Sequence, residues 1–326
     1  MLIENWHQKE KLETKGTRDG FGDAILELGE QNPNIVILCA DLAESTRTMN
    51  FQQKFPERFF EMGITEQNMA LVAAGMALSG LVPFMCSFAV FSPIGNLTQI
   101  RASIAYNQAN VKIVSSHSGI SVGEDGATHQ ATEDIAIMRA IPGMVVLTPC
   151  DFEEAKKMTI AAAKYKGPVY LRFERPKTPV FTKKENPFEI GKAQILKDGK
   201  DVAIITCGSL VYEALLAAKD LEKEGIYAMI VNNSSIKPLD KSTILEVAKK
   251  TKAIITVEDH QIEGGMGSAI AEFISQNFPV PMEFVGIEDS FGESGQFEKL
   301  RAKFHLNSYF IKEKVKQVLK KGRVNS

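Results

Sequence analysis

Short apolar segments typical of strands alternate with helical segments along most of this 326-residue chain. Strands that alternate with helices indicate a parallel sheet with helical crossovers. The alternation is interrupted at residues 176–192, which are rich in proline and lysine and lack a clear period, and it resumes at residue 202. The sequence therefore predicts an α/β fold of two tandem doubly wound domains with mostly parallel sheets. The first domain would cover 1–180, the linker 181–195 and the second domain 196–326.

The composition of the chain argues against some classes of binding partner and favours one type of cellular compartment. Charged residues make up 24% of the chain and the formal net charge is -2, so there is no basic surplus for nucleic acid or an anionic membrane. The N-terminus is polar, unlike a signal peptide, and no apolar run reaches the ~20 residues of a membrane helix. The four cysteines lack metal-ligand spacing, which favours buried free thiols in a reducing compartment. We expect a cytoplasmic protein without nucleic-acid or membrane partners.

The segment FFEMGITEQNMALVAAGMALSGL, residues 59–81, places a carboxylate at a strand-to-helix junction. Gly63 ends the predicted strand, and Thr65 is a candidate N-cap of the helix that follows. Glu66 then lies in the first turn of a largely apolar helix, at the edge where open α/β sheets bind ligands. Glu66 is interpreted either as an anion that stabilises the helix dipole or as a positioned acid–base group.

Polar loops follow four predicted strands of the first domain, at 41–45, 63–66, 117–129 and 172–175. In a parallel sheet these loops lie at one edge and can converge. Histidine suits proton transfer near neutral pH, and arginine combined with serine and histidine suits a phosphate group. Phe88 and Phe91 could form a platform for a flat ring, although a phenylalanine pair taken by itself more often belongs to the core or the surface. The chain has no GxGxxG, no P-loop and no GDG motif with its later asparagine, so it is not expected to hold a diphosphate by itself.

Four motifs in sequence order carry a resemblance to a known family: FFEMGITEQNMA (59–70), CSFAVF (86–91), SVGEDGATHQATED (121–134) and VEDHQIEGGMGSAI (257–270). Together they resemble transketolase, specifically its C-terminal half. The whole chain looks like the separate C-terminal subunit of a split transketolase, with a pyrimidine-binding domain followed by the transketolase C-terminal domain. The resemblance implies a thiamine diphosphate-dependent transferase of carbohydrate metabolism, such as the pentose phosphate pathway. It would move a two-carbon ketol unit from a ketose phosphate to an aldose phosphate.

The resemblance also implies roles for individual residues. Glu66 would hydrogen-bond the aminopyrimidine of thiamine diphosphate and favour the imino tautomer that removes the thiazolium proton. The other implied cofactor contacts are Phe88 and Phe91 on the pyrimidine ring, Ile94 in place of a third aromatic residue, and Asp41 in the cofactor and subunit contact region. The implied sugar contacts are Arg18, Ser45, His117 and Arg172 at the phosphate, Asp125 at a hydroxyl, and His129, a catalytic residue near the ketose end.

In this family the N-terminal half, which this chain lacks, holds the diphosphate and Mg²⁺. The resemblance therefore implies an N-terminal partner subunit, self-association into a heterotetramer, and no metal ligand in this chain. Three alternatives stay open: an enzyme like deoxyxylulose-phosphate synthase, a transketolase specific to another sugar pathway, and a non-catalytic regulatory subunit. His117 combined with His129 favours sugar-phosphate ketol transfer, and the presence of Glu66 and Asp125 argues against a non-catalytic role.

Overall fold

The computed structural model describes residues 1–324. Its strands, all within those residues, are β1 (Thr14–Gly16), β2 (Ile35–Cys39), β3 (Phe59–Glu61), β4 (Val82–Phe88), β5 (Lys112–Ser116), β6 (Val145–Leu147), β7 (Val169–Arg172), β8 (Lys177–Pro179), β9 (Gln194–Lys197), β10 (Val202–Thr206), β11 (Ala228–Asn232), β12 (Ser235–Lys237), β13 (Ile254–Gln261) and β14 (Met282–Ile287).

Helices connect most of these strands. In the described part of the chain they are α1 (Thr17–Gln31), α2 (Met49–Lys54), α3 (Glu66–Leu78), α4 (Leu97–Gln99, continued by a π-helical turn at Ile100–Ala105), α5 (Asp134–Ala140), α6 (Phe152–Lys164), α7 (Leu210–Glu222), α8 (Lys241–Lys250), α9 (Met266–Asn277), α10 (Phe297–Lys303) and α11 (Ser308–Val324). Among residues 1–324, none of these helices has the length and apolar character needed to cross a bilayer.

The first sheet has the strand order β12-β6-β7-β5-β4-β2-β3. Every neighbouring pair from β6 to β3 is parallel, and β12 is antiparallel to β6. Because parallel strands end on the same side, the loops after β2, β3, β4, β5 and β7 share one edge of this sheet. This edge carries the four polar loops that the sequence singled out.

The second sheet has the order β14-β13-β10-β11-β9, with β9 as an antiparallel edge strand beside four parallel strands. The predicted α/β class with mostly parallel sheets is thus confirmed. The division at 181–195 stays a prediction, but two details depart from it. Strand β9 already begins at Gln194, inside the predicted linker, and β12, from the second half of the chain, extends the sheet of the first half.

Buried strands explain the apolar runs of the sequence. Successive residues of β2 point to opposite faces of the first sheet. Ile35 and Ile37 pack in a cluster with α1 and α6, whereas Val36 and Leu38 pack in a cluster with α3 and α5. Because helices cover both faces, a continuous run of apolar residues is stable in this strand.

The sequence pattern predicts one helix over residues 91–106, and the first part of this prediction is wrong. Ser92 is extended, with φ -141° and ψ 111°, and the α-helix begins only at Leu97. Pro93 accounts for the break, because a proline disfavours a helical residue before it and cannot donate a backbone hydrogen bond. The irregular turn at Val90–Ile94 brings this segment to the functional edge of the sheet.

Candidate active site

Glu66 lies at the first position of α3, where its side chain is 8% exposed. Ser87 at the end of β4 donates a hydrogen bond from Oγ to Glu66 Oε1 at 2.9 Å, and Asn96 Nδ2 donates to the Glu66 carbonyl at 2.9 Å. Thr65 occupies the N-cap position, but its Oγ1 donates to the Met62 carbonyl and does not cap the helix. The position of Glu66 is therefore set by contacts with β4 and the turn after it.

Four rings form one continuous group at the same edge of the sheet as Glu66. Phe88 follows Ser87 and stacks on His117, with ring centroids 3.7 Å apart and planes at 22°. Phe91 lies 5.8 Å from Phe88 with nearly parallel planes, and its ring meets His129 edge-on at 5.4 Å. Ile94 is half-buried in the same turn as Phe91. A buried carboxylate and aromatic faces at one edge of a sheet suit a flat heterocycle that carries N–H donors, because the carboxylate accepts hydrogen bonds and the rings pack.

A basic cluster borders these rings. Arg18 Nη1 donates to the Ser45 carbonyl at 2.8 Å, and burial together with the neighbouring Arg47 lowers the pKa of Arg18 to about 10. Burial and the charges of Arg18 and Arg175 lower the pKa of His117 to about 3, so this imidazole is neutral at neutral pH. Guanidinium groups around a neutral imidazole attract an anion such as a phosphate group.

Arg172 was predicted to contact the sugar phosphate, and the structure contradicts this. Its side chain is 2% exposed, and Nε lies 2.7 Å from Asp134 Oδ2 in a buried ion pair. Burial works to lower the pKa of Arg172, but the carboxylate of Asp134 outweighs it and raises that pKa. Nη2 also donates to the Asp259 carbonyl at 2.8 Å, so the guanidinium is committed to the interior.

Arg175, and not Arg172, belongs to the basic cluster at the edge of the sheet. Its side chain is 36% exposed, and it belongs to the group of positive charges that acts on His117 and Arg18. The sequence contained a signal for this choice. Arg172 continues the apolar run of β7 without a break, whereas Arg175 comes after the strand has ended.

The remaining predicted residues lie on loops at the same edge. Asp41 and Asp125 are exposed, and within residues 1–324 no hydrogen bond or ion pair joins their side chains to the ring group. The Asp41 N–H donates to Glu61 Oε1 at 2.7 Å. His129 is half-buried, with Nδ1 2.9 Å from Thr128 Oγ1. Asp41 and His117 have φ values of 57° and 58°, which is uncommon for residues with a Cβ and recurs at functional sites.

Within residues 1–324 there is no group of three or more His, Cys, Asp or Glu side chains that could hold a metal ion.

Comparisons with known proteins identify the family. A family model described as "Transketolase, pyrimidine binding domain" matches residues 13–180, and one described as "Transketolase, C-terminal domain" matches residues 191–311. A protein of Methanocaldococcus jannaschii described as a transketolase C-terminal section is 46% identical over 94% of this chain and 97% of its own length. A 6-deoxy-6-sulfo-D-fructose transketolase subunit of a Clostridium species is 40% identical over 91% of this chain and 92% of its own length.

A solved structure gives the same result. It is titled a split gene transketolase, inactive beta4 tetramer, and it superposes with a TM-score of 0.88 at 44% identity, covering 94% of this chain and 98% of its own. The chain therefore belongs to the transketolase family, whose enzymes depend on thiamine diphosphate, and corresponds to the C-terminal section of those enzymes.

Proposed function

We propose that this chain is the C-terminal subunit of a transketolase that transfers a two-carbon ketol unit from a ketose phosphate to an aldose phosphate. The observation that carries the proposal is the buried carboxylate of Glu66, which Ser87 holds at the edge of the sheet that also carries Phe88 and Phe91. A carboxylate in this setting is shielded from water, which strengthens a hydrogen bond to a ring nitrogen. The fit to the pyrimidine end of thiamine diphosphate rests on this combination.

Each residue of this part of the site has a proposed task. Glu66 accepts the hydrogen bond of the pyrimidine, while Phe88, Phe91 and Ile94 pack beside the ring and exclude water. Asp41 lies in the region of contact between cofactor and subunits. Thiamine diphosphate, when bound, supplies the chemistry that breaks and forms the carbon–carbon bonds.

The basic cluster is proposed to bind the phosphate of the sugar. Arg18 and Arg175 supply charge, while Ser45 and the neutral imidazole of His117 supply hydrogen bonds. Asp125 accepts a hydrogen bond from a sugar hydroxyl, and His129, in contact with Phe91, handles a proton near the ketose end.

An N-terminal transketolase subunit is proposed to hold the diphosphate and Mg²⁺, in a cytoplasmic heterotetramer that contains two copies of this chain. The solved relative, described as an inactive beta4 tetramer, supports the need for an N-terminal subunit, since an assembly of beta chains alone is inactive there. The compartment is supported by the four cysteines, which are all free and buried.

A second candidate is a transketolase of a different sugar pathway. One relative is named for 6-deoxy-6-sulfo-D-fructose, whose sulfonate has the charge and shape to enter the same basic cluster. Measuring kcat/KM for a pentose phosphate donor beside a sulfonated donor separates the two candidates.

The test is reconstitution. The purified chain is mixed with an N-terminal transketolase subunit of the same genome, thiamine diphosphate and Mg²⁺, and ketol transfer is assayed. We expect activity from the mixture alone, and a Glu66→Gln variant with kcat reduced by about a hundredfold or more. Glu57→Gln, the same substitution at an exposed turn, serves as the matched control. Robust activity from this chain alone would refute the need for a partner subunit. A loss of kcat below about tenfold in Glu66→Gln would refute the proposed role of Glu66.

A further inference from the structure

The loop of residues 117–133, which carries His117, Asp125 and His129, is held from the second half of the chain. The Ile120 N–H donates to Asp259 Oδ1 at 3.0 Å. The Ile120 side chain is fully buried in a cluster that otherwise consists mainly of second-half residues, among them Leu210 and Leu300. The start of the loop is therefore fastened to β13 and to the core beneath it.

A second attachment lies on either side of Asp125. Ser294, in the segment after β14, donates from Oγ to the Glu124 carbonyl, and the Gly295 N–H donates to the Gly123 carbonyl at 3.4 Å. Gln130, at the far end of the turn, donates from Nε2 to the Glu293 carbonyl at 3.0 Å. These contacts fix the backbone from which Asp125 and His129 project.

The loop packs closely against Asp259 at the first attachment. Gly119 has a φ of 65°, and a Cβ there would collide with the Asp259 carboxylate. The backbone of Asp259 is itself held, because its carbonyl accepts the hydrogen bond from Arg172, which is paired with Asp134. The buried ion pair of Arg172 and Asp134, in the first half, thus orients Asp259, the second-half residue that hydrogen-bonds the loop.

We propose that the C-terminal domain positions the sugar-binding loop, with Asp259 and Ser294 as positioning residues that act through the backbone of residues 119–126. The proposal rests on the function proposed above only for its effect on catalysis. The holding of the loop is a property of this chain and can be measured without activity.

The experiment compares four variants in the reconstituted enzyme. Asp259→Ala and Ser294→Ala remove one attachment each, while Asp259→Asn keeps an oxygen acceptor for the Ile120 N–H. Glu272→Ala is the matched control, because it removes another contact between the two halves, the ion pair with Arg139, away from the loop. The measurements are KM for ketose and aldose, KM for thiamine diphosphate, kcat, and amide hydrogen exchange.

We expect each alanine variant at the loop to raise the KM for sugar by about tenfold, as for a binding group that has lost its alignment, with a smaller change in kcat. The KM for thiamine diphosphate should stay unchanged. Amides of residues 119–130 should exchange about tenfold faster, and those of α3 and β4 should not. Asp259→Asn should restore both properties, and Glu272→Ala should alter neither.

Unchanged exchange of residues 119–130 in both alanine variants would overturn the proposal, as would faster exchange with an unchanged KM for sugar. Ser294 is exposed, so Ser294→Ala keeps the test valid if Asp259→Ala does not fold. A wild-type mixture without ketol transfer would refute the proposed function, and the exchange measurement would still decide whether the second half holds the loop.

Discussion

At the scale of residues, burial gives different tasks to two arginines that lie three positions apart at the end of β7. Arg172 is enclosed with Asp134, whereas Arg175 reaches the basic cluster. We expect Arg172→Met to destabilise the protein by about 3–5 kcal/mol, because it leaves a buried carboxylate without its partner. Arg175→Met should change stability by less than about 1 kcal/mol and should raise the KM for phosphorylated sugars. Urea unfolding and steady-state kinetics of both variants check this.

The reverse pattern, with Arg172→Met stable and Arg175→Met unfolded, would contradict the assignment. A matched control is Arg101→Met, which replaces an exposed arginine of the π-helical turn after α4 and should leave both properties unchanged.

The pH dependence of stability follows from two buried groups near the loop. The pKa of His117 is about 3 when folded and about 6.5 when unfolded, so stability falls as pH falls from 6.5 towards 3. Burial and the neighbouring Glu174 raise the pKa of Asp259 to about 6, above about 3.9 in the unfolded chain, so this group lowers stability as pH rises from about 4 to 6. The two slopes oppose each other between pH 4 and 6.

Variants separate these slopes. Removing His117 by His117→Gln should flatten the loss of stability below pH 6.5, by up to about 1.4 kcal/mol per pH unit. Asp259→Asn should make that loss steeper, because the opposing slope is gone. Free energies of unfolding measured in urea at half-unit steps from pH 4.5 to 7.5 provide the check. Curves that run parallel to the wild type would show that neither group titrates as the structure indicates.

At the scale of elements, the N-cap side chains of different helices contribute different amounts to the stability of the protein. Asp151 is fully buried at the N-cap of α6, where its carboxylate accepts from the Glu154 N–H at 3.0 Å and from the backbone N–H groups of Phe181 and Thr182. Asp151→Ala should lower the free energy of unfolding by about 2–4 kcal/mol, because the N-cap hydrogen bond contributes about 1 kcal/mol and the buried backbone amides lose their acceptor. Thr65→Ala at α3 should cost less than about 1 kcal/mol, because Thr65 does not cap its helix. Equal losses in chemical denaturation would contradict this difference.

Local pattern predicted most elements, and non-local contacts explain the rest. The apolar runs of β2, β4, β5, β10 and β13 can be recognised in the sequence because burial on both faces leaves a continuous signal. The sequence pattern missed β12, since three residues carry little period and their pairing with β6 joins distant parts of the chain. It also missed α5, a short helix at the end of a polar loop. The resemblance to transketolase assigned the sugar phosphate to Arg172 and not to Arg175, three residues later, because strand ends are the least certain boundaries.

In the candidate site, too, the sequence pattern indicates some residues and non-local contacts determine others. Residue type and position after parallel strands made Glu66, Phe88, Phe91 and His117 candidates, and the resemblance to transketolase gave them roles that stay predictions. Asp259 was not found, because its task depends on a contact with Ile120, 139 residues away. Such a contact leaves no periodic signal in either segment.

At the scale of the whole molecule, the two halves share their interior. Strand β12 belongs to the sheet of the first half, and Ile120 belongs to the cluster of the second. A further cluster contains Leu38 and Ile113 from the first sheet together with Ile205 and Met229 from the second. Neither half can open without exposing apolar surface of the other.

We therefore expect a single cooperative unfolding transition, although chains of this length often unfold in steps. Trp6, the one tryptophan, packs on the second-half cluster, so its fluorescence reports on that half. Ile37→Ala, in the buried β2 of the first half, should lower the free energy of unfolding by about 2–5 kcal/mol. It should shift the midpoint seen by Trp6 fluorescence as far as the midpoint seen by far-UV circular dichroism, as should the control Val257→Ala in the second half. A shift in circular dichroism with an unmoved Trp6 midpoint would show that the halves unfold independently.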